Sequence, residues 1–135
     1  MRFELTNKEF RRLLDLVYIG NWVLNSTRGE DRFADYDQIE NKLFSLCADG
    51  PMRILTEPYE GQWYPSRAYT EGGIHEAIAY YEDYVFFQIL AEEMAKRDMG
   101  YPAITEENHD ELLDRMEQYM QEFEISGIDR LQLDI

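Results

Sequence analysis

A mostly α fold is predicted, a single compact domain of four to five helices over residues 1–135 with a small β-hairpin or a terminal β-ribbon. Two capping patterns, Thr6-Asn7-Lys8-Glu9 and Asp35-Tyr36-Asp37-Gln38, mark helix starts. Apolar residues recur at helical spacing behind the second pattern and again over 112–123. Gly50-Pro51 and Gly100-Tyr101-Pro102 mark helix ends, because glycine accepts a left-handed cap and proline cannot continue the helix. The length suits one domain, and 44% hydrophobic with 14% aromatic residues supplies enough apolar surface for a core.

The first helix opens on the Thr6/Glu9 box. Leu13, Leu14, Leu16, Val17, Tyr18, Ile19, Trp22, Val23 and Leu24 leave it almost no polar face, which predicts neighbours on most sides and a place at the centre of the core. In the second helix Tyr36, Ile39, Leu43, Leu46 and Cys47 share a face, so Cys47 reads as a buried structural thiol, with no nearby basic residue to activate it. Over 51–70, strand-like residues surround Tyr59-Glu60-Gly61-Gln62, while Pro58 and Pro65 each lack a ladder donor. A loop or small edge hairpin is expected, with Tyr59, Trp63, Tyr64 and Tyr69 folded back over the helices.

After Gly72-Gly73, Ile74, Ala77, Ile78 and Tyr81 mark one helical face and Phe87, Leu90, Ala91 and Met94 another. The phase changes at Glu82-Asp83, which predicts two helices or one kinked helix. Thr105 is placed to cap a last helix with the stripe Leu112, Met116, Tyr119, Met120 and Phe123, ending near Gly127. At the ends, Phe3 and Leu5, and Leu131, Leu133 and Ile135, alternate with polar residues at strand period, hence the terminal ribbon.

One cysteine excludes an internal disulfide and a multi-cysteine metal cage. The start lacks the basic-then-apolar order of a secretory signal, and no apolar run approaches the roughly 20 residues of a membrane span. A cytoplasmic protein is expected, of bacterial type on size and plainness alone. The net charge of −15 opposes binding to nucleic acid or an anionic membrane surface. Residues 1–34 are close to neutral at +1, with 6 basic and 5 acidic side chains, so 35–135 carry −16.

Metal chemistry would draw on the only two histidines. Glu71 and His75 stand four apart, and with His109 and Asp110 they define one conceivable His/carboxylate site. His109-Asp110 with a separate His75 resembles the ligand set of the metal-dependent HD phosphohydrolases. That set needs a further aspartate much later in the chain, and Asp114, Asp129 and Asp134 are poor substitutes, so the family is not assigned. No Gly-x-Ser-x-Gly elbow, P-loop or cysteine with a plausible base is present, and Gly72-Gly73 reads as punctuation.

The function expected is a non-enzymatic protein–protein interaction module without a cofactor, binding a basic protein partner through an acidic and aromatic surface. Glu107, Asp110, Glu111, Asp114 and Glu117 are the partner-binding candidates, since several share the face away from Leu112. A solvated face that only keeps the chain soluble is the plainer use of the same charges. Tyr80, Tyr81, Tyr84, Phe86 and Phe87 cannot all face one side of a helix, which also opens homo-oligomerisation through helix 74–98. The alternative function is a metal-dependent hydrolase using Glu71, His75, His109 and Asp110.

Overall fold

The computed structural model describes residues 1–135. Its elements run α1 (Asn7–Asn25), α2 (Ala34–Ser45), a 3-10 turn (Arg53–Leu55), β1 (Thr56–Tyr59), β2 (Gln62–Pro65), short α3 (Arg67–Tyr69), α4 (His75–Asp98) and α5 (His109–Ser126). The fold is mostly α with one two-stranded antiparallel sheet. Of the two β elements expected, the hairpin is the one that forms. Residues 1–6 and 131–135 carry no strand, and Phe3, Leu133 and Ile135 are exposed: the period-2 pattern there has no buried face to define a register. No helix is long and apolar enough to cross a membrane. Contacts gather into two units, Met1–Ile78 and Ala79–Ile135.

In the first unit the capping box of α1 is complete: Glu9 N–H donates to Thr6 Oγ1 at 3.2 Å, and Thr6 N–H to Glu9 Oε2 at 2.8 Å. Leu14, Tyr18, Asn21 and Asn25 are buried, at i, i+4, i+7 and i+11, so α1 buries one stripe. This corrects the expectation of a helix surrounded on most sides, for Leu16 is 69% exposed and Val23 is exposed as well. The start of α2 also differs. Phe33 is its N-cap without a side-chain bond, and Asp35 accepts only from the Tyr36 N–H beside it. Phe44 and Cys47 are buried, whereas Tyr36, Ile39 and Leu46 of the expected stripe are exposed, because α2 is rotated to present Phe44. Cys47 is a buried free thiol whose pKa burial pushes up.

The hairpin accommodates both prolines. Tyr59 pairs with Gln62 around Glu60 and Gly61, whose φ values of 48° and 77° give the doubly left-handed turn that matches strand twist. Hydrogen-bonded and non-bonded pairs alternate outward from that turn, so Tyr59/Gln62 and Glu57/Tyr64 are bonded pairs. Ser66 N–H donates to Leu55 O at 2.9 Å in the same alternation. Pro58 and Pro65 therefore fall where no ladder donor is required. Of the four aromatic residues expected to cover the helices, Tyr69 is buried, whereas Tyr59 and Tyr64 are exposed and Trp63 lies under the Arg53 guanidinium. Ser66 Oγ caps α3 by accepting from Tyr69 N–H, and a π turn over Thr70–Ile74, with Gly73 at φ 112°, leads into α4. Leu14, Tyr18, Phe44, Cys47, Tyr69, Ile74 and Ile78 form the core.

In the second unit α4 continues without a break at Glu82-Asp83. The change of phase needs no break, because one continuous helix, entered just after buried Ile74, buries Ile78 on one face near its start and Ala91 and Ala95 on another near its end, while Tyr80, Tyr81, Tyr84, Phe86 and Ile89 are exposed. The helix ends with Tyr101 N–H donating to Lys96 O and Gly100 N–H to Arg97 O, with Gly100 at φ 82°. Thr105 organises the turn before α5 rather than capping the helix directly. Its N–H donates to Asn108 Oδ1, its Oγ1 accepts from Glu107 N–H, and Asn108 is the N-cap. Leu112 and Phe123 are the buried residues of α5, and the Phe123 ring lies 5.4 Å from Phe87.

Phe44→Ala is expected to cost about 3–5 kcal/mol in urea denaturation, and Leu16→Ala less than about 0.5 kcal/mol. Equal losses would contradict the single buried stripe of α1.

Candidate functional site

The face of α5 opposite its core is acidic. Asp110, Asp114 and Glu117 recur at i, i+4 and i+7, and Gln121 and Glu124 extend the row. All five partner-binding candidates, Glu107 included, are exposed. The unit Ala79–Ile135 holds 15 acidic and 4 basic side chains. Each base is already paired: Lys96 with Glu92, Arg97 with Asp98, Arg115 with Glu111, and Arg130 with Glu122. Glu111 thus has a cation, while Glu107, Asp110, Asp114 and Glu117 have none. Asp98 also accepts from the Tyr119 hydroxyl, and that bond, followed by Arg97, holds its carboxyl below the usual range. On α4, Tyr80 is 78% exposed, and Tyr81, Tyr84 and Phe86 are exposed beside it.

The structure gives the alternative metal-site residues other surroundings. Glu71 pairs with Arg67, and His75 Nε2 shares a 2.6 Å hydrogen bond with the Tyr18 hydroxyl. His109 and Asp110 stand exposed at the start of α5. No three His, Cys, Asp or Glu side chains group so as to hold a metal ion.

A second constellation, unforeseen in the sequence, lies between α1 and α2. Asn25 Nδ2 donates to Asn21 Oδ1 at 2.7 Å and to Phe33 O at 3.1 Å, and its Oδ1 accepts from Phe33 N–H at 2.8 Å. Asn21 Nδ2 donates to Asp37 Oδ1 at 3.0 Å, and Arg32 binds Asp37 in bidentate fashion through Nε and Nη2 at 3.0 and 2.9 Å. Arg32's hydrogen bonds are the main cause holding the Asp37 carboxyl below the ordinary range. Glu40, one turn further along α2, has no ion-pair partner. Burial pushes its carboxyl up to about 7, and the negative charge of Asp37 adds to the shift. Tyr18, Asn21, Trp22, Ser26, Arg32 and Glu40 line a pocket of about 290 Å³.

The signal available for this site was the pair Asn21/Asn25, polar positions four apart that interrupt an apolar run. No family model matches the chain, and neither a curated protein nor a solved structure matches it.

Two measurements probe the polar seam. Asn25→Ala strands the partners of a buried amide and is expected to cost about 1–3 kcal/mol by denaturation. Because the carboxyl of folded Glu40 titrates near 7, above its ordinary value of 4.5, the folded state binds the extra proton between those values. Stability contributed by that proton is present at low pH and is lost as pH rises through about 7. Glu40→Gln is therefore expected to gain thermal stability relative to the parent from pH 5 to pH 8, and a constant difference would refute the shift.

Proposed function

We propose that the protein is a non-enzymatic interaction module that binds a basic protein partner through the acidic face of α5, with the exposed aromatic residues of α4 adding contact area. The observation that carries this reading is the pairing pattern: every basic side chain of Ala79–Ile135 is taken locally, and Glu107, Asp110, Asp114 and Glu117 are left without a cation. Exposed ion pairs contribute only about 0.2–1 kcal/mol each, so such a face selects and steers its partner more than it holds it. Tyrosines such as Tyr80 and Tyr84 supply the complementary property, a large contact area with a hydrogen-bonding tip. With this reading we also propose a cytoplasmic location, and a partner that is neither nucleic acid nor an anionic membrane, whose phosphates the face repels.

The test begins with capture from cell lysate at about 0.1 M and about 0.5 M salt, beside the variant D110K/D114K/E117K. A basic protein retained by the parent, released at the higher salt and ignored by the variant supports the proposal. With that partner purified, the variant is expected to slow association at least about tenfold while dissociation changes little, and Tyr80→Ala with Tyr84→Ala is expected to speed dissociation. Capture that is identical for parent and variant would overturn the acidic face as the site.

A further inference from the structure

We propose that the pocket between α1 and α2 is a binding site for a small organic ammonium cation, held by the carboxylate of Glu40 against the aromatic wall of Tyr18 and Trp22. The inference goes beyond the partner-binding face and concerns a different part of the molecule.

The pocket, an open cleft of about 290 Å³, is of the size that takes a small molecule rather than a chain segment. Its aromatic wall is fixed before any ligand arrives. Tyr18 and Trp22 stack with ring centroids 6.3 Å apart, His75 meets Trp22 at 4.7 Å and 79°, and the Tyr18 hydroxyl is bonded to His75 Nε2. Trp22 nevertheless remains 37% exposed. Such preorganisation removes an ordering cost from binding.

Charge decides the ligand class. Arg32 lines the pocket, yet its guanidinium is neutralised by the bidentate bond to Asp37 and further engaged with the Asn25 carbonyl at 3.3 Å. Asp37 in turn is saturated by Arg32 and Asn21. Glu40 is the remaining charge, half-buried and without a cation. The charged and titratable groups around it are Tyr18 from α1, Asp37 on its own helix, Arg32 from the preceding loop and, behind the aromatic wall, His75 of α4, which is bonded to Tyr18. β2, also packed on α2, contributes no charged side chain. A desolvated carboxylate beside indole and phenol rings is complementary to a substituted ammonium, which gains from the ion pair and from the ring quadrupoles together. An anion would meet Glu40, and a metal ion would find no second free carboxylate, since Asp37 is taken.

Choline and methylammonium serve as probes, with potassium at equal ionic strength as the control, in calorimetry and in Trp22 fluorescence of a Trp63→Phe background. Binding of choline near millimolar strength at pH 8 is expected. It should weaken at least about tenfold at pH 5.5, where little of Glu40 is ionised, and each cation bound near pH 7 should release part of a proton. Glu40→Gln and Trp22→Leu should each lose about tenfold or more, while D110K/D114K/E117K should bind as the parent does. Glu40→Gln keeps its fold by the argument above, so loss of binding in it reports the site and not unfolding. No binding of either probe at about 20 mM to the folded parent, equal binding by potassium, or equal binding by Glu40→Gln would overturn the proposal.

Discussion

Tyr69 has its ring set edge-on against Tyr18 of α1 at 5.3 Å and Phe44 of α2 at 5.0 Å, and its hydroxyl donates to Asp15 at 2.8 Å. Arg11 lies over the same ring and bonds the same aspartate. One side chain therefore joins both helices and the loop that carries it, and the first unit depends on its arrival. Burial, with Asp15's bond and charge, drives the phenol pKa upward, so the hydroxyl remains a donor at every physiological pH. The backbone is arranged to deliver it. Ser66 caps the single turn that contains Tyr69, and Gly73, at a φ that side chains rarely adopt, lets the chain swing into α4 immediately afterwards.

With Tyr69 fixing one part of α1, the far end is fixed by amides instead of rings. Asn25 is almost wholly buried and uses both atoms of its side chain on Phe33 and Asn21, and Asn21 passes the link to Asp37 and hence to Arg32. Buried amides of this kind are tolerable only when every donor and acceptor is matched, and matched groups specify one register. The connection from α1 to α2 is thus defined by hydrogen bonds where few apolar residues are available. The order of the seam also explains the isolation of Glu40, because Arg32, the nearest cation, is committed to Asp37.

Local signals were legible in the sequence because they depend on a few consecutive residues. The Thr6/Glu9 box, the Gly100 stop and the Glu60-Gly61 turn are determined within four or five positions, and each forms. Which face a helix buries was less legible. Tyr36, Ile39, Leu43, Leu46 and Cys47 make a good stripe on paper, yet the rotation of α2 is set by Tyr69, about 25 residues later, which demands Phe44. The continuity of α4 was obscured for a related reason, since a single helix that buries Ile78 on one face and Ala91 on another looks in sequence like two. Of the candidate sites, the acidic row on α5 could be read from spacing, whereas the Glu40 pocket could not, for its residues come from positions 18 to 40 and converge only through tertiary hydrogen bonds.

The net charge of −15 conceals three kinds of carboxylate with different physics. Asp15 and Asp37 are consumed by structure: their charges are matched by Arg11 and Arg32, and removing either would strand a cation. The carboxylates on the outer face of α5 lie in water, where each contributes little alone and all are screened together within about 8–10 Å at physiological salt. They act only as a field, and a field suits the capture of a large basic surface. Glu40 belongs to neither group. Half-buried and without a cation, it has a carboxyl that burial raises to about 7, so a neighbouring charge is felt there through a lower local dielectric than on the outer face. The two sites proposed for this chain thus rest on different physics, a collective field where the carboxylates are exposed and a single group where one is half-buried, and they call for ligands of different scale.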